Sequence, residues 1–221
     1  MRQWRRYKST YRIKHPQYYI KGKRNLTRQE ERTLFGGTVT VTEKMDGANT
    51  GLFKKNDKMF LQKRGSLVDD SHPQFKFFKN QWFWDNYEKL EQLPDNAVTY
   101  GELMRCTHTI HYDKLPDWWL VFDIYDLQKH QYLPWHEVAR ICYDIGLSTV
   151  PHIFTGSCMD RPTISEIMPI ESIYGNRAEG IVVKNYKKQM RGKVVHPEFI
   201  KDPSFDKHWS SRTATFNKLE R

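Results

Sequence analysis

Eight short segments rich in β-branched and aromatic residues constrain the fold of this chain more than any other feature of its sequence. Each is six to eight residues long, and most are bounded by turn-forming residues, which is typical of β-strands. We predict strands at 38–44, 49–54, 58–64, 97–103, 118–125, 150–155, 180–185 and 193–199. Asn56-Asp57 predicts a tight turn between the second and third strands, and a hairpin of this kind requires antiparallel strands.

Three further segments predict helices among these strands. Gln74 to Leu93 has aromatic residues at helical spacing, which indicates a helix whose aromatic stripe belongs to the core rather than to a base-stacking surface. Pro134 to Ile145 starts with proline and ends before Gly146, and Thr163-Ile-Ser-Glu166 matches a capping box that begins a third helix. Strands interrupted by helices predict an α+β fold, with antiparallel β-sheets flanked by helices.

The charges of the chain fall into three blocks. Residues 1–32 carry a net charge of +9, residues 33–183 carry −5 and residues 184–221 carry +6, which together give +10. Basic segments interleaved with aromatic residues suit contact with phosphates and stacking on bases. The first block is equally compatible with a solvated basic face whose aromatic residues dock into the core. Its candidate nucleic-acid contacts are Arg2, Arg5, Arg6 and Lys8.

Cysteine usage and hydropathy indicate the environment of the chain. Cys106, Cys142 and Cys158 include no closely spaced pair, which argues against a zinc site or a disulfide framework and fits a reducing compartment. No apolar stretch approaches the ~18 residues of a membrane span, and Met1 to Lys14 lacks the apolar core of a signal peptide. We therefore expect a soluble, cytoplasmic monomer without membrane contacts.

The chemistry indicated by the sequence centres on Lys44. This lysine ends the alternating segment Thr38 to Glu43, which predicts a half-buried strand, and it precedes Asp46-Gly47, which predicts a turn. An amine is nucleophilic only when neutral, so the pKa of such a lysine must fall from its ordinary value of about 10.4. Taken alone, Lys-x-Asp-Gly more often marks an ordinary strand-end lysine beside a hairpin, because four-residue patterns recur by chance.

Five further segments carry charged or aromatic residues at or near predicted strand ends. They are Gln62-Lys63-Arg64-Gly65, Tyr100-Gly101-Glu102-Leu103, Phe122-Asp123, Glu179-Gly180-Ile-Val-Val-Lys184 and Arg191-Gly192-Lys193. Each alone is ordinary, since strand ends often meet solvent. Together they indicate a pocket with one nucleophilic lysine, several carboxylates, an aromatic ring and several cations, which suits a nucleoside triphosphate with a divalent metal.

In this order, the segments resemble the signature of the covalent nucleotidyltransferases, the superfamily of polynucleotide ligases and capping enzymes. The closest resemblance is to RNA ligases of the RNA ligase 2 type, and it runs from about Val39 to Phe199. It implies a single adenylyltransferase domain over 1–221 with an ATP-grasp-like ligase core at 38–199, after the basic segment 1–32. The tail at 200–221 is too short for a C-terminal OB domain, so we expect at most a helix there, with the basic block or an accessory protein contacting the substrate.

The resemblance also implies a role for each matched residue. Lys44 matches the lysine that becomes covalently bound to AMP, and Asn49 matches an asparagine that favours RNA ligases over typical DNA ligases. Glu102 resembles the acid at the ribose, and Phe122 resembles the ring that stacks on adenine. Glu179 resembles the acid that supports the metal, with Glu102 as a second metal candidate.

Three basic residues complete this implied site. Arg64 resembles the arginine that contacts the nucleotide and the 5′-phosphate end. Lys193 resembles one member of the basic pair at the α-phosphate, but relatives carry Lys-x-Lys where this chain has Arg191-Gly-Lys193. The second cation is therefore either Arg191 or Lys184. The implied ATP-binding set is Glu43, Lys44, Asp46, Asn49, Arg64, Glu102, Phe122, Glu179, Lys184 and Lys193.

The function implied by the resemblance is ATP-dependent joining of RNA 3′-hydroxyl and 5′-phosphate ends, through a lysine–AMP intermediate and an adenylylated 5′ end. ATP and Mg²⁺ or Mn²⁺ would be the cofactors, and RNA or DNA strand ends the partners. The alternatives are a DNA or hybrid nick ligase, a capping-type guanylyltransferase that uses GTP, and a non-catalytic nucleic-acid-binding module. His108 and His111 have His-x-x-His spacing without an evident third ligand, which favours a structural or substrate-contact role over a metal site.

Overall fold

Two five-stranded sheets form the framework of the protein. They are seen in a computed structural model that describes residues 5–18, 24–157, 161–201 and 213–220. The described strands are β1 (Tyr11–Arg12), β2 (Val39–Glu43), β3 (Ala48–Lys55), β4 (Lys58–Lys63), β5 (Ala97–Leu103), β6 (Trp119–Asp126), β7 (Gln131–Tyr132), β8 (His152–Gly156), β9 (Gly180–Asn185) and β10 (Met190–Val195). The first sheet has the order β1-β10-β9-β2-β8 and the second β4-β3-β5-β6-β7. Every neighbouring pair except β1 and β10 is antiparallel, which confirms the predicted fold class.

Short helices lie between the strands. They are α1 (Arg28–Phe35), α2 (Pro73–Phe77), α3 (Phe83–Asp85), α4 (Tyr87–Glu91), α5 (Trp135–Ile145), α6 (Arg161–Ile167) and α7 (Pro197–Lys201), and a π-helical segment at Phe78–Trp82 joins α2 to α3. Within the described residues, none of these helices has the length and apolar character needed to cross a membrane.

All eight predicted strands are present, and the last differs most from its predicted bounds. The prediction of 193–199 is wrong at both ends, because β10 starts at Met190 and stops at Val195, and Pro197 then begins α7. Proline has no backbone N–H for a ladder bond but suits the first turn of a helix. The β3–β4 hairpin is confirmed, with Asn56 at φ 50° and Asp57 at φ 56°, the left-handed pair that a type I′ turn requires.

The predicted helices are only partly correct. Gln74 to Leu93 is not one helix but the run from α2 to α4, interrupted by the π-helical segment. Its aromatic stripe is core as predicted, since the Trp82 ring stacks on Phe78 at 5.1 Å and meets Trp119 edge-on at 5.4 Å. Helix α5 agrees with its prediction and ends at Gly146, which has φ 70°.

The predicted position of the capping box is wrong. Helix α6 starts before Thr163, so Thr163 is not its cap. The capping box belongs to α1, where the Thr27 hydroxyl accepts from the Glu30 amide at 3.2 Å and the Thr27 amide donates to the Glu30 carboxylate at 2.7 Å. The helix expected in the tail is also absent from residues 213–220, which are non-helical, while residues 202–212 lie outside the described ranges.

Strand β2 lies inside the first sheet, between β9 and β8, and is buried along its whole length. The sequence predicts a half-buried strand, but all five residues from Val39 to Glu43 are buried. Val39 and Val41 pack into an apolar cluster with Leu34 of α1 and Ile164 of α6. Thr40 and Thr42 alternate with these valines, so their side chains project from the opposite face of the strand. The polar half of the alternation is therefore buried in the protein rather than exposed to solvent.

Candidate active site

A cavity of about 510 Å³ opens between the two sheets. Its volume lies within the range of small-molecule and cofactor sites. Eight residues of the predicted ATP-binding set line it, namely Glu43, Lys44, Asn49, Arg64, Glu102, Phe122, Lys184 and Lys193. Tyr7, Lys8 and Thr10 of the N-terminal segment line it as well, and the sequence pattern indicated no cavity role for Tyr7 or Thr10.

The antiparallel pairing of β2 and β9 brings Lys44 and Glu179 together. Glu43 pairs with Ile181, so the end of β2 meets the start of β9, and the Lys44 amide donates to the Gly180 carbonyl at 2.8 Å. The Lys44 Nζ lies 2.5 Å from the Glu179 Oε2, and both side chains are largely buried. Two residues 135 positions apart in sequence thus form an ion pair, of which Lys44 lines the cavity and Glu179 does not.

The electrostatics of Lys44 differ from the prediction. Burial by itself lowers the pKa of Lys44, but the nearby carboxylates of Glu179 and Glu102 outweigh it and hold the pKa above its ordinary value. The expected fall in pKa is therefore wrong for this resting arrangement, in which the amine is protonated. Burial raises the pKa of Glu102 to about 8 and that of Glu179 to about 7, although Lys44 opposes both shifts.

Asn49 and Glu102 share one face of the second sheet. They are paired across β3 and β5, so their side chains project in the same direction. Both line the cavity. Glu43 also lines it, yet its carboxylate is hydrogen-bonded to Ser172, and burial raises its pKa to about 7.

A β-bulge directs Phe122 into the cavity. Tyr100 pairs with Asp123 and Gly101 pairs with Val121, which leaves Phe122 as the extra residue of β6. A bulge of this kind re-aims a side chain and is common beside active sites. The Phe122 ring lies 5.1 Å from the Tyr7 ring in an edge-on contact, and 6.5 Å from Tyr100.

The three candidates for the basic pair have different environments. Lys184 donates to the Phe122 carbonyl at 2.5 Å and to Asp123 at 3.2 Å. Arg191 lies 3.7 Å from the other oxygen of Asp123 and does not line the main cavity. Within the described residues, Lys193 has no ion pair, and burial, assisted by the charge of Lys44, lowers its pKa to about 8.

Arg64 and Asp46 are placed differently relative to the cavity, because Arg64 lines it and Asp46 does not. Arg64 is exposed just after β4, where its guanidinium donates to the Ser9 hydroxyl at 3.3 Å. Asp46 does not line the cavity. Its carboxylate accepts from the amides of Thr109 and Ile110 at 2.7 and 2.8 Å, so it anchors the lysine turn to a neighbouring loop.

Gly47 completes this turn by close packing. A Cβ atom at this position would lie 2.6 Å from the Leu103 carbonyl oxygen and 2.7 Å from the Met104 sulfur. Only glycine lets the chain pass from the first sheet to the second at this distance.

The N-terminal segment divides between core and surface. The Tyr7 hydroxyl donates to Asp123 at 2.5 Å. The Arg5 guanidinium lies 3.7 Å above the Tyr125 ring, and the Arg5 carbonyl accepts from the Tyr100 hydroxyl at 2.9 Å. Arg6 and Lys8 are exposed, whereas Arg2 lies outside the described residues. The interleaved basic and aromatic pattern thus combines docked and solvent-facing side chains.

No group of three or more His, Cys, Asp or Glu residues in the described ranges could hold a metal on its own. His108 is buried with its Nε2 3.3 Å from the Gln74 amide nitrogen, and His111 is 3.2 Å from the Thr107 hydroxyl. Both contacts agree with a structural role. Beside Lys44 the carboxylate of Glu179 is buried and that of Glu102 is half-buried, and the charge of Glu179 adds to the effect of desolvation in raising the pKa of Glu102.

Comparison with known proteins gives a consistent result. Residues 37–196 match the sequence model of a family described as RNA ligase. No curated protein matches the chain. Among solved structures it is similar to Naegleria gruberi RNA ligase with PPi, at a TM-score of 0.65 and 22% identity over 90% of this chain and 62% of that chain.

Two further structures of the Naegleria gruberi RNA ligase are similar. A lysine-to-alanine mutant with ATP and Mn gives a TM-score of 0.65 and 22% identity over 80% of this chain and 55% of that chain. An apo mutant gives a TM-score of 0.64 and 20% identity over 90% of this chain and 58% of that chain. At these identities the likeness concerns the fold, and the chain spans 55 to 62% of the length of these three chains.

Proposed function

The chain belongs to the RNA ligase family, and from this premise we propose that it is an ATP-dependent RNA ligase that works through a covalent lysine–AMP intermediate. The observation that carries the proposal is the position of Lys44. Its amine lies at the wall of the cavity, 2.5 Å from Glu179, among side chains suited to each part of a nucleotide.

Nucleotide binding is assigned from the lining of the cavity. Phe122, re-aimed by its bulge, stacks on the adenine ring. Glu102 accepts from the ribose hydroxyls, opposite Asn49. Lys193 binds the α-phosphate, because its ammonium is charged at neutral pH and has no ion pair within the described residues. Lys184 contributes positive charge at the same wall while it remains held by Asp123.

The carboxylates beside Lys44 fit a divalent metal. Glu179 and Glu102 offer hard oxygen donors, and their raised pKa values reflect burial of the carboxylates, which the charge of Lys44 only partly offsets. Mg²⁺ usually keeps several waters and takes one or two carboxylates together with substrate phosphates, so an all-protein cluster is not required. Bound there, the metal would neutralise charge on the triphosphate. Structures of the Naegleria ligase contain ATP or AMP with Mn, which supports a divalent metal as a cofactor here.

The reaction has three steps. The Lys44 amine attacks the α-phosphorus of ATP, so that a P–N bond forms and the bond to pyrophosphate breaks. The 5′-phosphate of an RNA strand then takes the AMP from the lysine. Finally a 3′-hydroxyl attacks that 5′-phosphate and AMP leaves. Alignment and charge neutralisation supply most of the catalysis in phosphoryl chemistry of this kind, and the cations Arg64, Lys184 and Lys193 would share it.

Deprotonation of Lys44 must precede the first step. Glu179 provides the strongest attraction that keeps the ammonium protonated. When Glu179 is engaged by another cation, that attraction weakens and the pKa of Lys44 falls, since burial alone favours the neutral amine. The resting ion pair thus holds Lys44 in place and inactive until nucleotide and metal arrive.

A mass measurement tests the proposal. Incubation with ATP and Mg²⁺ should add one AMP to the protein, and Lys44→Ala should abolish the adduct. Lys63→Ala is the matched control, because Lys63 lines the same cavity but is paired with Asp69 at 2.8 Å, and it should keep the adduct. An adduct that persists in Lys44→Ala would disprove the assignment of the nucleophile.

The choice of nucleotide and strand separates the remaining functions. Labelling by GTP instead of ATP would indicate a capping-type guanylyltransferase. With the ATP-charged protein, nicked RNA should be sealed faster than nicked DNA or a hybrid duplex. Preferred sealing of DNA would make the protein a DNA nick ligase, and no labelling by either nucleotide would leave only nucleic-acid binding.

We also propose a reducing, cytoplasmic location, which the free thiols of Cys106 and Cys142 support.

A further inference from the structure

The segment 213–220 is tied to the loop 104–112, which follows β5. Asn217 is the centre of the contact and is 3% exposed. Its Oδ1 accepts from the Thr107 hydroxyl at 2.9 Å and from the Tyr112 amide at 3.0 Å. Its Nδ2 donates to the carbonyls of Met104 at 2.6 Å and Cys106 at 3.4 Å. One buried amide thus holds four points of the loop, with donors and acceptors both satisfied.

Backbone contacts extend this attachment along the segment. The Asn217 amide donates to the Arg105 carbonyl at 3.2 Å, and the Thr107 amide donates to the Thr215 carbonyl at 2.9 Å. The Arg105 guanidinium lies 4.7 Å from the Phe216 ring. The segment therefore runs beside the loop and leaves it little freedom.

The same loop holds the turn that carries Lys44. Its Thr109 and Ile110 amides both donate to the Asp46 carboxylate. The Asp46 amide in turn donates to the Tyr112 hydroxyl at 3.1 Å. Asp46 lies two residues after Lys44, so a shift of the loop would move the lysine turn with it.

We propose that Asn217 is a positioning residue for Lys44, which it acts upon through the loop 104–112 and Asp46. The segment 213–220 is then part of the adenylylation machinery rather than a passive tail. The inference rests on the proposed function, in which Lys44 is the nucleophile. A nucleophile must be held close to its attack position, and a misplacement of about 1 Å can cost on the order of a hundredfold in rate.

The test compares two buried asparagines. Asn217→Ala should lower kcat for adenylylation by roughly tenfold or more, with KM for ATP changed less than about twofold, since it leaves the cavity lining intact. Hydrogen exchange at the Thr109 and Ile110 amides, measured by NMR without nucleotide, should accelerate at least about tenfold. The second readout does not depend on any activity.

Asn185→Ala is the matched control. Asn185 is 1% exposed, donates to the Leu34 carbonyl at 2.9 Å and accepts from the Lys188 amide at 2.9 Å. It is therefore equally buried, but its hydrogen bonds go to α1 and to the turn between β9 and β10 and not to the loop 104–112. Its loss should lower thermal stability to a similar extent, while kcat and the two exchange rates stay at wild-type values.

Each outcome decides the inference. If Asn217→Ala matches Asn185→Ala in kcat and in both exchange rates, Asn217 has no positioning role. If Asn217→Ala does not fold, Thr107→Val removes one of the four bonds together with the contact between Thr107 and His111, and unchanged exchange in that variant overturns the inference. If wild-type protein forms no adduct, the proposed function fails, and the exchange rates alone then tell whether Asn217 holds the loop.

Discussion

At the scale of single residues, the cations around the cavity differ in whether a carboxylate already holds them. Lys44 is paired with Glu179, and Lys184 and Arg191 share Asp123. Lys193 differs from them, because it has no ion pair within the described residues. It is half-buried, and partial burial together with the charge of Lys44 lowers its pKa to about 8. A cation in this state gains most from an incoming phosphate, since its desolvation is not yet offset by a partner.

This property predicts a pH dependence of nucleotide binding. As the pH rises through about 8, Lys193 loses its proton, so KM for ATP in adenylylation should increase, by at most about tenfold per pH unit. Lys193→Arg keeps its charge throughout this range, and its KM should stay nearly constant with pH. If the arginine variant shows the same rise in KM, another group is responsible.

The same shift sets the sign of the pH effect on stability. The pKa of Lys193 in the folded protein, about 8, lies below its ordinary value of 10.5, so the unfolded chain binds more protons between these values. The contribution of Lys193 to the free energy of unfolding therefore rises with pH across this window. Denaturant titrations of the nucleotide-free protein at the lower and upper pH of this window should show the rise in the free energy of unfolding. The contribution of Lys193 to that rise should be missing in Lys193→Met.

At the scale of elements, the N-terminal segment acts as a wall of the nucleotide cavity as well as a basic surface. Tyr7 is buried, and its ring contacts Tyr100, Phe122 and Tyr132. Its hydroxyl donates to Asp123, which also holds Lys184. This part of the segment therefore stabilises the bulge that presents Phe122 and the cation beside it.

Loss of the Tyr7 hydroxyl should weaken nucleotide binding. We expect Tyr7→Phe to raise KM for ATP several-fold, because a hydrogen bond to a charged group contributes about 1.5–3 kcal/mol. Tyr132→Phe is the control, since the Tyr132 ring belongs to the same cluster but its hydroxyl makes no hydrogen bond to Asp123. Equal KM values in the two variants would show that Tyr7 only fills space.

At the scale of the whole molecule, positive charge is concentrated at the two ends of the chain, around an acidic middle. In the N-terminal block, Arg5 stacks on Tyr125, whereas Arg6 and Lys8 are exposed and Lys8 lines the cavity. Arg64 is exposed at the same cavity. Among the described residues, these solvent-facing cations are well suited to bind the phosphates of an RNA strand.

Salt dependence tests this surface. Strand affinity should fall steeply with salt, with a log–log slope of roughly −0.7 to −0.9 for each phosphate neutralised. Replacing Arg6 and Lys8 together with Gln should make the slope less steep by about 1.5 and weaken strand binding, while AMP loading of Lys44 stays near normal. Replacing Lys129 and Arg140, two exposed cations elsewhere, should leave the slope unchanged. An unchanged slope in the variant that lacks Arg6 and Lys8 would mean that the strand is bound elsewhere, and the basic block from Lys184 onward would then be the next candidate surface.

Local sequence determined most of the elements. Short segments rich in β-branched and aromatic residues and bounded by turn residues favour strands, and all eight predicted strands are present. Asn56 and Asp57 tolerate left-handed backbone, so their turn was predictable as well. The errors lie where tertiary packing overrides local preference, as in the π-helical interruption at Phe78–Trp82, where two stacked rings pack against Trp119.

The order of the signature segments, which is a property of the sequence alone, also indicated most of the cavity lining. The segments did not indicate the role of each cation or the contacts that support Lys44. Both depend on pairing between distant parts of the chain. Strand β2 pairs with β9, Asp123 forms ion pairs with Lys184 and Arg191, and Asn217 is hydrogen-bonded to the loop that contacts Asp46. Charge pairing and hydrogen bonding act over a few ångströms in space, and only the folded chain fixes which residues come within that distance.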